Sequence, residues 1–114
     1  MTNIAICGAS GKMGKVIADI ITGRDDCKVV GGIDKIADSG AVFPIVATAA
    51  ELPVKPEVII DFSHPSTLDG LLDYCQTNGV PIVIATTGYS EEQIAKIKKA
   101  AELIPVFFTF NMSL

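Results

Sequence analysis

Several things are scarce in this chain of 114 residues, and each scarcity closes a route. Basic residues are too few for a nucleic-acid surface: nine Lys and Arg against thirteen Asp and Glu leave a net charge of −4, where such a surface needs a basic stripe. No apolar run approaches the roughly 20 residues of a membrane span. Asn3 and Gly8 break up the N-terminal apolar stretch, so it does not read as a signal peptide. The three cysteines, Cys7, Cys27 and Cys75, form no C-x-x-C pair. Their odd number and the apolar neighbours of Cys7 read as reduced, packed thiols of a cytoplasmic protein. With one histidine, His64, zinc ligation has little to work with. No Ser-His-Asp set, catalytic carboxylate pair or metal cluster can be assembled. Linkers, internal repeats and low-complexity tracts are missing as well.

What is present suits one compact domain. Apolar residues make up 49% and charged residues 19%, a globular balance. A chain of this length buries roughly two thirds of its unfolded surface. Asn3 to Cys7 is a short apolar run ended by Gly8, and reads as a buried strand. Met13, Val16, Ile17, Ile20 and Ile21 then recur at helical spacing and predict an amphipathic helix with those residues inward, closed by Gly23. Cys27 to Ile33 is a second strand. Strand, glycine turn, helix and strand form a βαβ unit.

Further on, 34–43 reads as loop and 44–47 as a short strand. Thr48 and Glu51 have capping-box spacing for a brief helical turn. Strands are expected over 58–62, 81–85 and 105–110. A helix opens at Pro65 and ends at Asn78-Gly79, with Leu68, Leu71, Leu72 and Cys75 on one face. Ser90 caps another, with Glu91, Glu92 and Gln93 in its first turn and Ile94, Ile97, Ala101 and Ile104 as its apolar face. The strands are rich in Val and Ile and do not alternate apolar with polar. The expectation is an α/β fold: a Rossmann-like, doubly wound, mainly parallel sheet with helices on both faces.

The chemistry concentrates at strand ends. Gly8, Gly11 and Gly14 follow the first strand and enter a helix, where a tight turn lets backbone approach an anion at the helix N-terminus. The bland alternative is a plain strand-to-helix turn. No G-K-[ST] follows a four-residue spacer, which excludes a Walker A loop. Asp34 closes the second strand, about twenty residues past the last glycine, where a dinucleotide fold places a carboxylate on the adenosine ribose. Its alternative is a solvated loop aspartate. A carboxylate there repels the 2′-phosphate of NADP, whereas Lys12 and Lys35 attract it, so use of both NADH and NADPH is expected.

The loops 61–65 and 85–89 also leave the C-terminal ends of buried strands, the edge that carries ligands in open α/β sheets. Thr86 and Thr87 can hydrogen-bond a carboxamide or ribose, and Phe62 can pack on a flat ring. Their alternative is ordinary capping loops. His64 reads as a surface or capping residue, and Asp61 as structural.

"IAICGASGKMGKVI", "VVGGIDK", "VIIDFSHP", "VIATTGYSEEQ" and "FFTFNMSL" together resemble bacterial 4-hydroxy-tetrahydrodipicolinate reductases (dihydrodipicolinate reductases) over essentially the whole chain. The resemblance implies a reductase of lysine and diaminopimelate biosynthesis that transfers a hydride from NADH or NADPH to a dihydropyridine-type dicarboxylate. It places Gly8, Ala9, Ser10, Gly11, Lys12 and Met13 in the pyrophosphate loop, with Lys12 able to approach a 2′-phosphate. Asp34 is the implied ribose acid, Lys35 its basic neighbour, and Phe62 a wall of the cofactor cleft. Ala85, Thr86 and Thr87 match a Gly-Thr-Thr segment near the nicotinamide ribose. Thr109, Phe110, Asn111 and Met112 match an Ala-x-Asn-Phe segment at the nicotinamide end. Ala85, Thr109 and Met112 depart from those patterns. Nothing matches the family's His-His-x-x-x-Lys segment or Gly-Thr pair, which supply its proton donor and substrate clamp from a later domain that also builds the homotetramer. The expectation is therefore a single NAD(P)-binding domain over 1–114, with no catalytic residue of its own, cut from a longer protein and binding cofactor without turnover, the fragment itself expected as a monomer. The rival readings are the Rossmann domain of another amino-acid dehydrogenase, such as an aspartate or homoserine dehydrogenase, and a non-enzymatic nucleotide-sensing module.

Overall fold

The structure is a computed structural model that describes residues 2–35, 43–85 and 88–108. Six parallel strands form one sheet: β1 (Thr2–Cys7), β2 (Cys27–Ile33), β3 (Ile45–Val46), β4 (Val58–Asp61), β5 (Ile82–Ile84) and β6 (Val106–Phe108), in the spatial order β3-β2-β1-β4-β5-β6. Three α-helices cross between them: α1 (Lys12–Thr22), α2 (Leu68–Asn78) and α3 (Glu91–Ala100). This order is the doubly wound Rossmann arrangement, whose topology reverses between β1 and β4.

The sheet separates two apolar layers. Ala5, Cys7, Ile59, Ile82 and Ile84 point to the side carrying Leu68, Leu71, Leu72, Cys75, Ile97 and Ala100 of α2 and α3. Ile4 and Ile6 point to the other side, against Ala18 and Ile21 of α1. Both faces of β1 are thus buried, which is why its sequence shows no alternation.

Helix α1 departs from expectation. Ile21 is buried and Ile17 half-buried, but Met13, Val16 and Ile20 are 55%, 50% and 57% exposed. Gly14 and Ala18 face the sheet instead. Small residues four apart let the helix come close, and closeness turns the larger residues outward. A methyl placed on Gly14 would lie 2.3 Å from the Gly8 carbonyl oxygen. In α3, Ala100 is buried in place of the exposed Ala101, with Ile97 buried and Ile94 half-buried; Ile104 is buried just past the helix. One residue of rotation separates those two faces.

The punctuation shows which end signals form. Ser90 and Gln93 make a complete capping box at α3. Gly79 ends α2 with φ of +67°, the left-handed conformation that glycine adopts without strain. The segment after Pro65 begins as a 3-10 turn, Pro65–Thr67, before α2 takes over. Thr48 and Glu51 do not form a capping box: the Thr48 hydroxyl donates to the Glu51 carboxylate at 3.3 Å instead of meeting backbone, although a 3-10 turn does span Ala49–Glu51. The strand expected over 105–110 is described only as far as Phe108.

Candidate functional site

The C-terminal ends of β1, β2 and β4 meet at one edge, and the glycine turn is the point where they are tied. Gly8 leaves β1 with φ of +84° and donates its N–H to the Ile33 carbonyl of β2 at 2.8 Å. On its other side the Phe62-Ser63 peptide packs so closely that a Cβ on Gly8 would sit 2.9 Å from the Phe62 carbonyl carbon. Phe62 N–H in turn donates to the Cys7 carbonyl at 2.9 Å. Conformation and proximity therefore both demand glycine at position 8.

Gly11 is different. It is the N-cap of α1, at φ −79°, and is exposed. A Cβ there would meet nothing closer than the Gly8 carbonyl oxygen at 3.4 Å, an ordinary contact. The fold does not require a glycine there; an approaching ligand would. The first turn of α1 holds no acidic residue, and Lys12 opens the helix, exposed, so no carboxylate of the helix itself offsets the positive end of its dipole.

Asp34, half-buried, follows β2. Its backbone N–H donates to the Val46 carbonyl at 2.9 Å, and one carboxylate oxygen accepts from the Ser10 N–H at 3.0 Å. The acid thereby holds the glycine turn in place. A carboxylate accepts about four hydrogen bonds, so a ribose hydroxyl can share it. Lys35 beside it is exposed.

Gly8, Gly11, Asp34, Lys35 and Phe62 line one cleft of about 270 Å³, together with Ser63, His64, Ser66 and Thr67. A larger neighbouring cleft, about 730 Å³, shares Lys35, Ala47, Ser66 and Thr67 with it and extends along α2 past Gly70 and Tyr74. Ala9, Ser10, Lys12 and Met13 do not line the cleft: Ser10 is half-buried beside Asp34 and Lys12 lies exposed at the start of α1. Ala9 is buried with its methyl against Gly32, and Met13 points outward. Ala85 is half-buried beside β4, its N–H donating to the Asp61 carbonyl at 3.0 Å. Thr86, Thr87, Thr109, Phe110, Asn111 and Met112 lie outside the described residues.

Ser63, Ser66, Thr67 and Ala47 were not among the expected site residues. A run of Ser and Thr after a Pro-containing turn reads equally as helix capping, and some of it is: His64 Nδ1 accepts from the Ser66 N–H at 3.2 Å, so the histidine is indeed a cap. The signal available was position, at the end of the strand next to β1.

Asp61 is the one fully buried charged side chain among the described residues. One carboxylate oxygen accepts from the Ser63 N–H at 2.8 Å and from the Ser63 hydroxyl, and the other faces the Tyr89 hydroxyl at 3.4 Å. Burial raises its pKa above the ordinary 3.8, against the pull of the Ser63 and Tyr89 donors. Burial, reinforced by the nearby Asp61 charge, also pushes Cys7 and Cys75 up to about 12. All three cysteines are free thiols. Among the described residues no group of His, Cys, Asp and Glu could hold a metal ion, and no helix is long and apolar enough to cross a membrane.

Sequence comparison with known proteins points to one family. Residues 2–112 match the family described as "Dihydrodipicolinate reductase, N-terminus". The 4-hydroxy-tetrahydrodipicolinate reductase of Clostridium novyi is 42% identical over 114 residues, all of this chain and 45% of that protein. The protein of the same name from Campylobacter jejuni is 37% identical over 114 residues, 43% of its length. The chain thus spans under half the length of these curated relatives. The dipicolinate-bound dihydrodipicolinate reductase of Paenisporosarcina sp. TG-14 superposes with a TM-score of 0.75 at 24% identity, over 90% of this chain and 43% of that one, which is agreement of fold. The chain belongs to the dihydrodipicolinate reductase family and corresponds to its N-terminal, Rossmann-type part.

Proposed function

We propose that this chain binds a nicotinamide dinucleotide along the C-terminal edge of its sheet, as the cofactor half of a 4-hydroxy-tetrahydrodipicolinate reductase. The observation that carries the reading is the convergence of Gly8, Gly11, Asp34 and Phe62 on one cleft at the N-terminus of α1. The pyrophosphate lies against the turn Gly8-Ala9-Ser10-Gly11-Lys12-Met13, over the uncovered Cα of Gly11. Of that turn, Ala9 contributes backbone alone. Asp34 accepts from the adenosine ribose, and adenine enters the larger cleft beside Ala47 and Thr67. Phe62 walls the middle. The nicotinamide end falls to Ala85, Thr86 and Thr87 and to Thr109, Phe110, Asn111 and Met112.

The bound cofactor supplies a hydride. The chain's own residues bind and orient it, and none of them is assigned a proton transfer or a contact with substrate. Substrate binding, protonation and tetramer assembly belong, on this reading, to the remainder of the family's longer chains. Lysine and diaminopimelate biosynthesis in the cytoplasm is the setting this implies, and the reduced thiols suit it.

Lys12 and Lys35 offset the repulsion between Asp34 and a 2′-phosphate, so both NADH and NADPH bind. Fluorescence titration of the chain with each cofactor tests this. Comparable affinities are expected, with no reductase turnover by the chain alone. A hundredfold preference refutes dual use, and absence of binding to either refutes the function itself.

A further inference from the structure

Gly8 and Gly14 are held to glycine by close backbone, and Gly79 by its positive φ. Gly70 has neither reason. It is the third residue of α2, it is not among the glycines of positive φ, and a Cβ built on it meets no atom within 4 Å. Glycine is among the poorest residues for a helix interior, so the fold gains nothing from the absent side chain.

The space it leaves belongs to the larger cleft. Thr67, Gly70, Leu71, Tyr74 and Asn78 recur at steps of three and four, so one face of α2 forms a wall. The opposite wall is low as well, being Ala47, Thr48, Ala49 and Ala50. Buried Cys7, Ile33 and Leu71 line the cleft with apolar surface, and exposed Lys35 and Asp73 add polar groups. Apolar surface between two low walls fits the faces of a flat heterocycle, and the polar groups fit its edge. The cleft's volume of about 730 Å³ lies in the range of about 300–1,000 Å³ that holds a whole drug-sized molecule. One purine base leaves much of it unfilled.

We propose that Gly70 is the specificity-determining residue of the adenine end: its missing side chain keeps the cleft open to the base and leaves room for a base enlarged at its edge. This rests on the cofactor reading above, which puts the ribose on Asp34 and the base beside Ala47 and Thr67. Gly70 stands one helical turn beyond Thr67 on the same face, so a side chain there enters the path of the base. Gly11 and Gly70 then serve two ends of the same half-molecule, one under the pyrophosphate and one beside the purine.

The test uses the 114-residue chain with ADP and with etheno-ADP, whose base carries a fused carbon bridge along its hydrogen-bonding edge. The parent is expected to bind the two within about threefold of each other. Gly70→Leu fills the cleft and is expected to weaken both at least about tenfold. Gly70→Ala intrudes less and is expected to weaken etheno-ADP more than ADP, whereas Gly11→Ala, at the pyrophosphate, weakens both by the same factor. The Gly70→Ala chain is expected to gain about 4 °C in Tm from helix propensity, which separates a filled site from a damaged fold. Normal ADP binding by Gly70→Leu, a parent that rejects etheno-ADP by more than about tenfold, or a Gly70→Ala chain that melts below the parent overturns the proposal. Should Gly70→Leu fail to fold, the ratio of etheno-ADP to ADP affinity in Gly70→Ala decides, and a ratio equal to the parent's overturns it. A parent that binds NADH but not ADP overturns the proposal and leaves the cofactor reading standing. A parent that binds neither refutes the cofactor reading, and the proposal with it.

Discussion

Two glycines of the same turn separate what the fold needs from what a ligand needs. At position 14 an alanine methyl would stand 2.3 Å from the Gly8 carbonyl oxygen and 2.9 Å from the Ala9 Cα. Side-chain carbons do not come within 3.0 Å of such atoms, so helix and turn must part by at least about 0.7 Å. Both clashing groups are backbone, and Gly8 is already tied to Ile33, so neither can swing aside. Overpacking of this kind costs about 1–3 kcal/mol, occasionally more, and rigid backbone on both sides places the cost at the upper end. Alanine's better helix propensity returns about 1 kcal/mol. Gly14→Ala is therefore expected to lose about 2 kcal/mol, near 8 °C in Tm for a domain of this size. Gly11→Ala meets only an ordinary 3.4 Å contact at an allowed φ and loses about 0.5–1 kcal/mol as a poorer N-cap. Its methyl, however, occupies the path of the pyrophosphate, and NADH affinity is expected to fall at least about tenfold, 1.4 kcal/mol. Thermal melts of both variants with NADH titrations supply the comparison. A Gly14→Ala chain as stable as the parent refutes the close-approach argument. A Gly11→Ala chain that binds NADH normally refutes the phosphate cradle.

Two further predictions concern the buried groups. The folded pKa of Asp61 is raised above its unfolded value, so its favourable contribution is complete below about 4 and is lost as pH rises through the folded pKa. Asp61→Asn has no such loss, and its Tm advantage over the parent is expected to grow from acid to neutral pH; an advantage that shrinks over that range refutes the assignment. Cys7 and Cys75 are buried with pKa near 12, so a thiol reagent at pH 8 is expected to label half-buried Cys27 first, the other two reacting only in denaturant. Equal native rates, followed by peptide mapping, would contradict the packing of β1 and α2.

The sheet was readable because unalternated Val and Ile runs, such as Val58 to Ile60, are what double burial requires. The glycine turn between β1 and α1 was readable because three glycines and Asp34 stand at the spacing the βαβ unit needs. The burial of α1 was not. Hydropathy favoured Met13, Val16 and Ile20, whereas the sheet selected Gly14 and Ala18, whose merit is small size rather than apolarity. The Ser66 and Thr67 walls were hidden by chemistry that serves capping equally well. Asp61 did read as structural, but its second partner, Tyr89, lies on another loop, and only the three-dimensional contact reveals it. The cofactor reading itself drew on family resemblance, since the glycine spacing alone is shared with plain turns.

The central position of β1 also sets an order of events as the chain is made. β1 pairs with β2 across the first crossover, but its other edge waits for β4, whose Val58 meets Ile4. Fifty-four residues separate those partners, and at about 5–20 residues per second β4 follows roughly 3–11 s behind. During that interval Ile4 and Ile6 border an unpaired strand edge, the kind of template on which chains associate wrongly. Slow synthesis between β2 and β4 would lengthen that exposure.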